Sequence, residues 1–399
     1  MKKFIKLSMI TVLFCFTGLI IGSNVYAEKV KELNWGIITA ITGPASPWGI
    51  PNSRAMSMGA DRINEAGGFQ VKGETYKWKV IIYDSKYVPA EAVKGLNRAI
   101  HSDKVYGVTI MGGAPLLACI PLLKQNNMLS LNDAAGGKAV TNPDNPLVFR
   151  FNPGIEGSYA VGLKYLKEKY GLKTVAAINP DDETGRANLD ALKYVNKAAG
   201  FNLDIVSSGF FERGSKDFMP LLTRIIAKKP DLIETGMTDP TTQALILKQA
   251  RELGYKGPIY LIWGPNEQQV LQVAGPLAEG AYLGVTGPVE PTTAVGKELY
   301  QRFLRQYPAN EWDANYYTHS SLFDCLTKAI VEAQSFDPVT VSKTLENLKW
   351  EGAWGTYSWG GSELFGTKRQ MLMPLTLLRI EGGKSVVATQ SDVPPGILD

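Results

Sequence analysis

The chain has 399 residues, 45% of them hydrophobic and 20% charged, which admits two or three globular domains and excludes a low-complexity or disordered polymer. Its formal charge of +4 falls to +1 once residues 1–27, which carry three lysines and no acid, are set aside, so no nucleic-acid footprint or basic membrane-surface patch is present. Of its three cysteines one lies in that leading segment, so a disulfide framework is excluded as well.

The chain opens with Met1-Lys2-Lys3, then an apolar run over 7–22, then Val25-Tyr26-Ala27, with small residues at the two positions a signal peptidase reads. This is the pattern of a secretory signal peptide cut after Ala27. The apolar run falls short of the ~20 residues a membrane span needs. Phe14 directly before Cys15 argues against a lipid attachment there. In the exported chain Cys119 and Cys325 remain, each in a helix-like segment; two distant cysteines could pair, and the reading favoured is two buried thiols.

Next comes an alternation of strands and helices. WGIITAIT, 35–42, reads as a buried strand, and 53–64 place Ala55, Met56, Gly59, Ala60 and Ile63 on one helical face. Strands follow at 78–84, 105–111 and 128–132. Helices follow at 89–101 and from Pro115, where proline suits a first turn. The series then repeats: a helix over 155–170; strands at 174–180, 203–211, 231–237, 258–264 and 280–286; helices at 184–199, 217–228, 241–253 and 266–274. Three further helices are expected near 294–306, 312–333 and 338–348, and a last strand at 375–380. The tail SDVPPGILD reads as frayed. Two such series imply an α/β fold of two doubly wound, mainly parallel sheets covered on both faces.

Ligands of open parallel sheets bind outside the carboxyl ends of the strands. Six corners qualify: TGPASPWG at 42–49, MGGAP at 111–115, NDAAGGK at 132–138, NPDDETG at 179–185, GMTDP at 236–240 and WGPNE at 263–267. Small residues there open the backbone N–H groups to a ligand, and helix N-termini favour anions. Catalytic patterns are missing. The two histidines, His101 and His319, stand alone and read as structural. No nucleophile elbow, phosphate loop, zinc spacing or dinucleotide fingerprint occurs. Asp181, Asp182 and Glu183 precede a helix and read as capping residues.

The stretches TGPASPWGIPNSRAMSMGADRINEAGG, 42–68, GSKDFMPLLTRIIAKKPDLIETGM, 214–237, and LILKQARELGYKGPIY, 245–260, carry a family resemblance. With them the chain resembles, over nearly its whole mature length, the type I periplasmic solute-binding proteins of ABC transporters, in the leucine/isoleucine/valine-binding branch. The resemblance implies a periplasmic protein, not an enzyme, with two lobes joined by a three-strand hinge that close on a small solute. It implies a first lobe of 28–150 plus 285–357 and a second of 151–284 plus 358–399. It also implies a membrane permease as partner, no cofactor or metal, and no nucleic acid. A sensory subunit feeding a receptor or regulator is the alternative role for the same fold.

Carried over residue by residue, the family's ligand contacts fall on Gly113 and Ala114, then on Ala134, Ala135 and Gly136, with Trp48 as the covering aromatic. Here these are glycine and alanine where relatives often have a hydroxyl. In the second lobe the matching positions are Thr184, Met237, Asp239, Asn266 and Glu267. The family's tyrosine is replaced by Thr184. Its acid after Gly-Pro is replaced by Asn266, with Glu267 one place on. A ligand ammonium would therefore need Asp239 or Glu267, because an unpaired charge in a closed cleft is costly. Trp48 is read as a wall on a loop, and its removal is expected to weaken binding while sparing stability.

Overall fold

The computed structural model describes residues 30–134, 137–263, 267–287 and 290–398. The signal segment 1–27 therefore lies outside the described residues. Two sheets form. The nine-stranded first sheet runs, in spatial order, Trp350–Gly352, Gly355–Gly360, Gln370–Leu372, Val148–Arg150, Leu129–Asn132, Gly107–Ile110, Lys31–Thr39, Glu74–Asp84 and Phe69–Val71. The seven-stranded second sheet runs Lys384–Ser391, Leu375–Glu381, Tyr282–Val285, Ile259–Leu261, Leu232–Glu234, Thr174–Pro180 and Asp204–Phe211.

The central pairs of both sheets are parallel, and the antiparallel pairs lie toward the edges. This is the doubly wound arrangement expected. The central strands are buried on both faces; Trp35, Ile37 and Ile38 are wholly enclosed, and the Trp35 indole donates to Thr109 Oγ1 at 3.0 Å. An apolar run without alternation is what a strand covered by helices on both faces requires.

The chain passes between the sheets three times: after Val148–Arg150, after Tyr282–Val285, and between Gln370–Leu372 and Leu375–Glu381. Strand Gly355–Gly360 runs through the expected changeover at 357 and Gln370–Leu372 lies past it, yet both belong to the first sheet. Pairing of Gln370 with Arg150, and of the 350–360 hairpin with Gln370–Leu372, holds them there. At the crossings Arg150 is fully buried. It donates to Glu156 Oε2 at 3.0 Å and, by its Nε, to Gln370 Oε1.

Three boundaries differ from the sequence reading in ways that matter. The first helix spans Ser46–Glu65 and not 53–64. Pro47 falls in its first turn, where no N–H is needed, and Pro51 is carried inside. The expected helix over 312–333 is two pieces, Tyr316–His319 and Leu322–Ala333, with the Ser321 hydroxyl bonding back to the Thr318 carbonyl at 3.2 Å. The tail is docked, not frayed. Ile397 and Leu398 are buried in the second core, Tyr194 Oη donates to the Ile397 carbonyl at 3.2 Å, and the Gly361 N–H donates to that of Leu398. Cys119 and Cys325 are both buried and unpaired, and burial pushes the Cys119 thiol up to about 12.

Candidate functional site

Segments leaving the carboxyl ends of strands in both sheets line one shared cavity. On the first-sheet side Trp48 and Asn52 follow strand Lys31–Thr39, Tyr87 follows Glu74–Asp84, Met111 and Gly112 follow Gly107–Ile110, and Asp133 follows Leu129–Asn132. On the second-sheet side Met237 follows Leu232–Glu234 and Trp263 follows Ile259–Leu261. All three crossings contribute, through Asn152 and Ser158, through Thr286, and through Leu375. The segment that returns to the first sheet adds Asn315, Thr318 and His319.

Trp48 is placed by its helix. Residue 49 must be glycine, because a Cβ there would stand 1.9 Å from the Ala40 carbonyl oxygen. The first turn of the helix thus lies directly on the end of the strand. Trp48 is 7% exposed, packs in a small cluster with Ala40, Ala45 and Met111, and meets the Tyr87 ring at 6.3 Å. It is a buried wall of the cavity and not the tip of a loop. Gly112 holds φ +97°, a conformation that favours glycine, and a Cβ there would also meet the Tyr87 ring at 2.7 Å. Beyond it Gly113 and Ala114 form the first turn of helix Gly113–Gln125, whose leading N–H groups have no intrahelical acceptor.

The polar centre is Asp133. Its Oδ2 accepts from Asn52 Nδ2 at 2.5 Å and its Oδ1 from Asn152 Nδ2 at 3.3 Å. His319 Nε2 stands 3.3 Å from Oδ2, within charge reach but not aligned as a hydrogen bond, while its Nδ1 lies 3.1 Å from the Asn315 carbonyl oxygen. Burial alone would raise the Asp133 pKa. The imidazole and the two amides outweigh it, and the carboxyl sits below its ordinary value. Asp133 is therefore a carboxylate at neutral pH.

A second buried carboxyl behaves oppositely. Glu234 ends strand Leu232–Glu234, behind the 236–240 corner, and its Oε2 accepts from the Gly236 N–H at 2.7 Å. Burial pushes its pKa up to about 8, against the pull of that N–H, Tyr159 and Asn188. The two sides of the cleft touch beside the cavity. The Arg213 guanidinium lies 4.8 Å from the centre of the Tyr87 ring, and its Nε donates to Asp182 Oδ2 at 2.5 Å.

Of the residues expected at the site, Trp48 and Met237 line this cavity. Gly113 and Ala114 adjoin it through Gly112. Ala134 is buried beside Asp133, its carbonyl accepting from Asn152 at 3.2 Å. Thr184 is buried against Tyr87 in the first turn of helix Glu183–Ala198, which Asp182 caps by accepting from the Gly185 N–H at 3.0 Å. Asp239 caps helix Pro240–Glu252, accepting from the Thr242 N–H at 2.9 Å. Glu267 accepts from the Ser385 N–H at 3.0 Å and from its hydroxyl. Ala135, Gly136 and Asn266 lie outside the described residues.

The sequence reading passed over Asp133, Asn52, Asn152 and Trp263 and took His319 as structural. Asp133 stood inside a quoted corner whose small residues drew attention to the backbone instead. Asn52 shares a helical face with Trp48 at i+4, a spacing visible only once the helix is started at Ser46.

A family model described as periplasmic binding protein matches residues 32–384. The chain is similar to a leucine-, isoleucine-, valine-, threonine-, and alanine-binding protein of Pseudomonas aeruginosa, 22% identical over 262 residues, 65% of this chain and 68% of that one. It is also similar to a Leu/Ile/Val-binding protein of Rhizobium johnstonii, 24% identical over 61% of this chain and 65% of that one. Among solved structures, a leucine binding protein from Thermotoga maritima superposes with a TM-score of 0.77 at 20% identity, over 91% of this chain and 99% of that chain. A solute binding protein of R. palustris in complex with benzoate superposes with a TM-score of 0.74 at 16% identity, over 92% and 99%. At these identities the structural likeness speaks for the fold.

Proposed function

The chain belongs to the periplasmic binding protein family, a non-enzymatic ligand-binding family, and from that premise we propose that it is the extracytoplasmic solute-binding subunit of an ABC importer. It is exported by cleavage after Ala27, captures a small amino acid-like or carboxylate-bearing solute between two closing lobes, and delivers it to a membrane permease. Among the described residues no helix is long and apolar enough to cross a membrane.

One observation carries this reading: a single cavity takes its lining from strand ends of both sheets and from all three crossings. A solute held there touches both lobes at once. Its binding energy therefore favours the closed arrangement over any open one, which is what couples capture to a change of shape. Trp48, Met237 and Trp263 offer apolar surface to the body of the solute. The N–H groups at Gly113 and Ala114 suit a carboxylate at a helix start, with 134–136 as a further backbone contact.

Thermal denaturation of residues 28–399 against amino acids, aromatic acids, short-chain acids and amides tests the proposal. A solute at about a hundred times its Kd should stabilise the fold by roughly 2.7 kcal/mol. The same solute should reduce the radius of gyration in solution scattering. A panel with no stabilising compound would remove the capture reading.

A further inference from the structure

The family resemblance places an acid for a ligand ammonium in the second lobe, and both candidates there are engaged elsewhere. Asp239 accepts from the Thr242 N–H, and Glu267 accepts twice from Ser385, 118 positions along the chain. Neither lines the cavity. Asp133 does, from the opposite wall.

We propose that Asp133, with Asn52 beside it, is the specificity-determining subsite for an N–H-bearing head group, an ammonium or a primary amide, on the captured solute. The inference rests on the solute-capture reading and names the chemistry of that same site.

Four observations support it. Asp133 is the one carboxylate among the described residues that line the cavity, and its side chain keeps 11% of its surface accessible. It is held ionised by its neighbours. A carboxylate offers about four acceptor positions, and hydrogen bonds from Asn52 and Asn152 take two of them. Finally, donation by Asn52 Nδ2 fixes that amide's orientation and leaves its Oδ1 buried with no hydrogen-bond partner.

The cavity therefore presents two adjacent acceptors, one charged, in a place water scarcely reaches. A head group with two or three N–H donors satisfies both. A bare carboxylate in the same place would face a like charge and leave the Asn52 oxygen unpaired. No lysine or arginine lines the cavity among the described residues, so His319 alone could offset that charge. An amino acid fits with its ammonium on Asp133 and its carboxylate toward the Gly113 helix start.

Titration calorimetry on two matched series tests this: L-leucine, 4-methylpentanamide and 4-methylpentanoate; L-phenylalanine, benzamide and benzoate. In whichever series binds, the N–H-bearing members should bind at least about tenfold tighter than the acid lacking an N–H. Asp133→Asn should narrow that gap to about threefold or less. Benzoate or 4-methylpentanoate binding as tightly as its N–H-bearing partners overturns the proposal without any variant. So does a gap that survives Asp133→Asn. A solute found only outside both series decides in the same way: affinity unchanged in Asp133→Asn overturns the assignment while solute capture stands. A panel in which nothing binds removes capture itself.

Discussion

The two walls of the cleft grow from equivalent strand ends yet differ in chemistry. The first-sheet wall presents Asp133, Asn52 and Asn152, with His319 against them. The second-sheet wall presents Met237 and Trp263, while its acids Asp182 and Asp239 cap helices. Two buried carboxyls repeat the contrast. Burial raises both, but Asp133 has an imidazole and two amides facing it and stays low, whereas Glu234 has no basic side chain among the groups acting on it and rises to about 8. Strand position supplies burial; the neighbours decide charge. One wall is polar and charged, the other mainly apolar.

Trp48→Ala should produce the largest effect. The side chain is buried in the first-sheet wall, so its loss should cost roughly 3–5 kcal/mol in denaturant unfolding as well as solute binding. This replaces the expectation that stability would be spared. An unchanged unfolding midpoint would show that the wall is a free panel and blunt the contrast drawn above.

Glu234→Gln addresses the second wall. With a folded-state pKa near 8 against an ordinary 4.5, the folded protein holds a proton that the unfolded chain has lost between those values. The group's contribution therefore falls as pH rises from about 4.5 to about 8, then levels. The variant should lack this decline and exceed the wild type above pH 8 by an amount on the order of 5 kcal/mol. Urea melts from pH 5 to 9 would show it. Parallel stability curves would mean Glu234 ionises like Asp133 and that the two walls do not differ in this way.

Arg213→Gln removes the contact between the walls at Tyr87. The pair is partly exposed, so roughly 0.5–1 kcal/mol should be lost from closure, read as solute binding about two- to fivefold weaker with little change in the unfolding midpoint. Equal affinity in the variant would assign closure to the solute alone.

Much of this was legible in the sequence. Short apolar runs, some alternating, located most strands. Helical spacing located the helices between them. Corners at the strand ends contained Trp48, Met237, Asp133 and Trp263, because parallel sheets leave no other place for a site. The small strands Trp350–Gly352, Gly355–Gly360 and Gln370–Leu372 carried no strand expectation, since runs of three to six residues carry little periodicity. Asn52 was hidden by starting the helix too late. A proline at 51 reads locally as a breaker, yet the helix runs through it, with Gly49 letting its first turn rest on the Ala40 carbonyl.

The sequence by itself determined the fold class and the corners from which a site had to be drawn, because patterning and turn chemistry are local properties, and its resemblance to known relatives carried the family. Only the tertiary structure decided which side chains of those corners meet. His319 looked structural, and Asp239 and Glu267 looked available. Folding brings His319 to Asp133 across 186 positions of chain and commits the two acids to a helix cap and a neighbouring hairpin. Charge in a buried cleft depends on neighbours distant in sequence, and no local pattern encodes them.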